Sequence, residues 1–86
     1  MTYEITWKAG ASRDMDRLPL SIASAVVEFI YGPLAQNPHR AGKPLRFELE
    51  GKHSARRGTY RVIYQIIETR VQIEVIAVQH RVDAYR

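Results

Sequence analysis

Apolar positions alternate with polar ones at both ends of this chain and recur at helical spacing in between. Tyr3, Ile5 and Trp7 alternate with Glu4 and Thr6, which predicts a half-buried strand. Ala11, Met15 and Leu18 follow at helical spacing, with Arg13, Asp14, Asp16 and Arg17 between them. That is a short amphipathic helix, ended by Pro19. A second helix is predicted from Leu20 to about Leu34. Ile22, Val26, Phe29 and Ile30 form its core stripe, Val27 and Leu34 widen it, and Gly32-Pro33 weakens its end. Two helices joined at one proline form a hairpin.

Residues 36–44 read as a loop by their turn chemistry. Leu45 to Leu49 alternates apolar and charged until Gly51 breaks the run. His53 to Arg57 is a candidate strand that turns at Gly58-Thr59 into the stretch around which the chain is organised. In that stretch Tyr60, Val62, Tyr64 and Ile66 share one strand face, suited to burial. Arg61, Ile63, Gln65 and Ile67 share the other, which begins with a cation and is the face to meet a ligand. After a short junction at Glu68-Thr69-Arg70, Val71, Ile73, Val75 and Ala77 alternate with Gln72, Glu74, Ile76 and Val78 in a last strand. Gln79 to Arg86 is polar and reads as a strand exit followed by one helical turn. The order β-α-α-β-β-β predicts an α+β fold: a two-helix hairpin packed on a small, mostly antiparallel sheet, as one domain over 1–86.

Composition narrows the function classes. The 86 residues bury one small core. The absence of cysteine removes disulfides, thiolate metal ligands and a cysteine nucleophile. No run approaches the ~18 apolar residues of a membrane span, and the start lacks the signature of a signal peptide, so a cytoplasmic protein is expected. The net charge of +4 is unevenly spread. Residues 1–39 carry three Lys/Arg against four Asp/Glu, and residues 40–86 carry ten against five. A basic half points to a polyanion, either a nucleic acid or an acidic protein partner, with a merely solvated basic face as the alternative.

No glycine-rich phosphate loop is present. The three histidines lack the companions of a metal site, and no cofactor is implied. The chemistry available is a set of cations and one phenol flanking the strands: Lys52, His53, Arg56, Arg57, Arg61, His80, Arg81 and Tyr85. RNA is cleaved without a metal when its own 2′-hydroxyl attacks the adjacent phosphorus. A protein assists by aligning the backbone, neutralising transition-state charge with guanidiniums, and moving protons with His, Tyr or Lys. The same cluster also suits a plain binding surface.

Several segments resemble the RelE branch of the RelE/ParE toxin superfamily, and actinobacterial RelE-type toxins most closely. They are Leu18-Pro19, Pro44-Leu45-Arg46, Leu49-Glu50-Gly51, Ser54-Ala55-Arg56-Arg57-Gly58, Tyr60-Arg61-Val62-Ile63-Tyr64, and His80-Arg81 ahead of Tyr85-Arg86. The resemblance implies a microbial-ribonuclease-like fold. It implies a toxin that enters the ribosomal A site, cleaves mRNA there through the 2′-hydroxyl, and is neutralised by a cognate RelB- or Phd-like antitoxin. By the same resemblance, Arg61 stabilises the transition-state phosphate, Arg81 binds phosphate or leaving group, Tyr85 orients the base, and Lys52 is one of a lysine pair. Ser54 stands where the second lysine of that pair is expected, which leaves the general base open among Lys52, His53, His80 and Glu50. Lys43, Arg46, Arg56, Arg57 and Arg86 are candidate contacts to RNA or ribosome. Two alternatives stay open: a ParE-like inhibitor of DNA gyrase, which shares the fold without RNA cleavage, and a basic binding module with no activity of its own.

Overall fold

The computed structural model describes residues 2–47 and 50–80. Its elements are β1 (Glu4–Trp7), α1 (Ala9–Asp16), α2 (Leu20–Phe29) running into a π-helical turn (Ile30–Leu34), and a short α3 (Pro38–Ala41). Then follow β2 (Lys43–Pro44), β3 (His53–Arg57), β4 (Tyr60–Ile67), a 3-10 turn (Glu68–Arg70) and β5 (Gln72–His80). The strands form one sheet in the order β1-β5-β4-β3-β2. β1 lies parallel to β5, and the other neighbours are antiparallel. The α+β expectation is met.

The apolar pattern accounts for the layers. Ala11 of α1 and Val26, Phe29, Ile30 and Leu34 of the second helix pack on Ala55, Tyr60, Val62, Tyr64, Ile73, Val75 and Val78 of the sheet. The face of β4 expected to be buried is thus the core face. Pro19 ends the first helix and starts the second, its carbonyl accepting from the Ile22 and Ala23 N–H groups at 3.0 and 2.9 Å. Pro33 sits inside the π turn. Proline has no N–H to give, and its ring crowds the carbonyl four residues back, so a widened turn lets the helix continue to Leu34 without a break.

Three expectations need amendment, and one patterned stretch needs placing. Val27 does not widen the core stripe, since it is exposed on the outer face of α2 together with Leu20 and Tyr31. Residues 36–44 are more than a loop: Asn37 caps α3 by accepting from the Arg40 N–H, Pro38 is buried at the first helical position, and β2 follows. The alternation at Leu45 to Leu49 does not make a strand over residues 45–47. Phe47 has φ +60° and is 89% exposed, and residues 48–49 lie outside the described set. In β5 the alternation does not hold to its end, because Val78 rather than Ala77 is buried.

The last difference has a definite cause. Tyr64 pairs with Val75, but Ile63 pairs with Ala77, so Ile76 is an extra residue on β5. This β-bulge turns over the phase of the strand beyond it. Val62 then meets Val78 in the core, and Arg61 meets Gln79. Beyond Trp7, no strand among the described residues lies beside the outer edge of β5. There α1 covers the edge, and Asp14 Oδ2 accepts from the Val78 N–H at 2.9 Å.

Candidate functional site

The central strands bring one row of side chains together. Arg56 of β3 is in register with Arg61 of β4, and Arg61 with Gln79 of β5. Residues in register point to the same side of a sheet with Cβ atoms roughly 4.5–5.5 Å apart. Tyr60 and Val62, on either side of Arg61, are in the core, so the row lies on the face away from the helices. Ser54 is on this face too, in register with Ile63 and Lys43. Lys52 extends the same phase, its carbonyl accepting from the Leu45 N–H at 2.8 Å as β2–β3 pairing continues. One face of the sheet therefore carries Lys43, Lys52, Ser54, Arg56, Arg61 and Gln79.

The electrostatics of this row are unbalanced. Two guanidiniums directly opposite one another repel. Among the described residues neither has a carboxylate partner, and the Arg61 Nε is buried without a hydrogen bond. An anion with several oxygens would satisfy both, and a phosphate diester matches the fork of guanidinium donors.

The other candidates are placed differently. Arg57 belongs to the helix side: its guanidinium lies 4.4 Å from the centre of the Phe29 ring and donates to the Arg56 and Ala41 carbonyls at 2.8 and 3.3 Å. His80 is in register with buried Tyr60, so it lies on the face opposite Arg61. His53 is likewise on the helix side, stacked on Tyr64 at 5.5 Å between ring centroids and edge-on to His39 at 6.0 Å. Its Nδ1 is buried without a partner. Burial, and then the nearby His39 charge, hold its pKa below the usual histidine value. Burial pushes the Tyr64 phenol up to about 12 against the opposing pull of Arg57, and its hydroxyl donates to the Pro38 carbonyl at 2.6 Å. Arg46 is exposed after β2, and Glu50 is exposed before β3. Arg81, Tyr85 and Arg86 lie outside the described residues.

The sequence reading did not single out Gln79 or Asp14. A signal for the first was present. Val75, Ile76, Ala77 and Val78 are consecutive apolar residues, and such a run on a strand that otherwise alternates marks a bulge. Asp14 gave no signal, because one carboxylate on a charged helix face looks like any other.

A second polar cluster joins α3 to the turn before β5. His39 Nε2 contacts Glu68 Oε1, and the Tyr3 hydroxyl donates to both Glu68 oxygens at 3.1 and 3.3 Å. The bond from His39 is the main cause that holds the Glu68 carboxyl below its usual value. It ties residues 36–44 to the sheet at the far end from Arg61.

Known proteins are similar to this chain over most of its length. Residues 5–85 match the family described as the ParE toxin of the type II toxin–antitoxin system parDE. The chain is 54% identical over 84 residues to Toxin RelE of Mycobacterium tuberculosis, covering 98% of this chain and 87% of that protein. It is 48% identical over 86 residues to Toxin RelG of the same organism, covering 100% and 99%. Among solved structures it is similar to the toxin–antitoxin complex RelBE2 of Mycobacterium tuberculosis, with a TM-score of 0.92 at 46% identity, covering 94% of this chain and 100% of that one.

Proposed function

The chain belongs to the RelE/ParE family of type II toxin–antitoxin toxins, and from that membership we propose that it is a ribosome-dependent endoribonuclease that cuts mRNA in the A site. The observation that carries this reading is the in-register pair Arg56 and Arg61 on the sheet face away from the helices, without a carboxylate partner among the described residues. Retaining two repelling cations side by side costs stability, and a bound phosphate offsets that cost.

The reaction follows from the RNA itself. The 2′-oxygen bonds to the adjacent phosphorus as the bond from phosphorus to the 5′-oxygen breaks, leaving a 2′,3′-cyclic phosphate and a 5′-hydroxyl. The proton lost by the 2′-hydroxyl balances the one gained by the leaving oxygen. Arg61 donates to the phosphoryl oxygens where charge builds up, and Arg56 adds a second guanidinium. For proton transfer, the faces favour Lys52 over His53 and His80, because Lys52 alone of the three stands in phase with Arg56. Arg81 and Tyr85 keep the roles implied by the family resemblance, as phosphate ligand and base platform. A RelB- or Phd-like antitoxin is the proposed neutralising partner.

A second reading, inhibition of DNA gyrase, is favoured by the ParE description of the matching family. Toe-printing with programmed ribosomes separates the two, with free mRNA and EDTA-treated free mRNA in parallel. Cuts confined to the A-site codon, lost in Arg61→Ala, are the expected result. Intact mRNA in every tube, together with arrest of gyrase supercoiling, would overturn the nuclease reading.

A further inference from the structure

We infer that Gln79 is the sequence-reading residue of the RNA site, contacting a base edge next to the phosphate held at Arg61. The inference rests on the nuclease reading for its ligand, but its argument is the register of β5.

Without the bulge, continuous pairing from Tyr64 and Val75 would bring Val78 opposite Arg61. With Ile76 inserted, Val78 goes into the core against Val62 and Gln79 takes the place beside Arg61. A bulge beside a functional site re-aims a side chain, and here it exchanges an apolar neighbour for an amide. The arrangement is held from outside by Asp14, which accepts the Val78 N–H. A register of this kind is specified rather than incidental, because slipping it would expose Val78 and bury an amide.

The chemistry of the row divides the labour. Arginine donors hold phosphate oxygens and carry no sequence information. Gln79 is the neutral amide directly beside Arg61, while Gln65 on the same face stands four residues further along β4. It offers a donor and an acceptor in one plane, the pattern that matches adenine best among the four bases. Adenine meets it on both edges, N6 with N7 and N6 with N1, whereas cytosine, guanine and uracil meet it only on the Watson–Crick edge and by half on the other.

The test uses non-cleavable 2′-O-methyl RNA trinucleotides, with each of the four bases at the central position, titrated against the full chain and its variants. The parent chain is expected to favour central adenine. In Gln79→Ala the ratio between tightest and weakest trinucleotide should shrink by about fivefold or more, with the weakest nearly unchanged. Gln79→Met, which keeps the length of the side chain without its polar groups, should behave alike and covers the case where the alanine variant folds poorly. Arg61→Ala should weaken all four by one common factor. Unchanged ratios in both Gln79 variants would overturn the inference, as would a parent chain that binds all four equally or none. Ribosome cleavage separates this from the parent reading. A-site cutting with an unaltered codon distribution in Gln79→Ala sinks only the role of Gln79. Trinucleotide discrimination that depends on Gln79, without any ribosomal cutting, sinks only the nuclease reading.

Discussion

The carboxylate of Asp14 on α1 accepts the backbone N–H of Val78 at 2.9 Å, and so a helix side chain stands in for a missing strand at the edge of β5. β1 has ended by this point, with Trp7 paired to Val75. A part-buried N–H left without an acceptor costs roughly 1–3 kcal/mol. Asp14→Ala should therefore destabilise the fold by that amount, and Asp14→Asn, which keeps an oxygen acceptor, by less. Denaturant unfolding gives the stabilities, and amide exchange at Val78 should quicken most in the alanine variant. Equal stability of Asp14→Ala and parent would mean that water replaces the carboxylate without loss.

Arg56 and Arg61 oppose each other in register. Like charges so placed are destabilising by a few tenths of a kcal/mol. Arg56→Gln should raise thermal stability slightly at low salt, with the gain fading as salt screens the pair. The same substitution should weaken RNA binding and flatten its salt dependence. A variant that loses stability instead would indicate that Arg56 already has a partner in the free protein.

Gly42 lies where α3 passes into β2. A Cβ placed there would stand 2.5 Å from the Tyr64 hydroxyl oxygen and 2.6 Å from the Ser54 carbonyl oxygen. Neither atom is free to yield, because Tyr64 is wholly buried with its hydroxyl bound to Pro38 and Ser54 is in the sheet. Gly42→Ala should cost about 1–3 kcal/mol through overpacking. Gly51→Ala serves as the comparison, since its φ of +92° carries backbone strain while nothing crowds its Cβ within 4 Å. Thermal unfolding of both variants distinguishes crowding from strain.

The His53 ring prefers its neutral form in the folded chain, because it is partly buried beside His39. Its folded pKa lies below the unfolded value of 6.5, so the unfolded chain binds more protons between the two. Stability from this group is present above pH 6.5 and is lost as pH falls through the folded value. Glu68 acts in the same direction at lower pH, below its ordinary 4.5. Urea midpoints measured from pH 8 down to about 5 should decline for the parent chain. His53→Gln should flatten the upper part of that decline, and an unchanged profile would locate the proton uptake elsewhere.

Most of the architecture was legible because it follows from period and punctuation. Pro19 between two helical stripes and the alternation of Tyr60, Val62 and Tyr64 are one-dimensional signals. The two-residue strand at Lys43-Pro44 was not legible, since its pairing with His53 and Ser54 depends on a chain reversal that leaves no local period. Strict alternation also put Arg61 on the face away from the core, where it stands. Its neighbour was not found, because register between β4 and β5 is a property of two strands and one inserted residue. Arg57 shows the converse: adjacent to Arg56 in sequence, it is turned by the same alternation onto Phe29.

The strand order has a bearing on how the protein comes into being. β1 is made first, but among the described strands its only neighbour is β5, made last of the five. Until β5 has emerged, the first strand has no ladder to join, and closing that long loop is entropically expensive and slow. The arginine row is incomplete over the same interval, because Gln79 arrives with β5. A nascent chain thus acquires its finished sheet and its finished basic face in one late event, and no fragment that stops before β5 presents either.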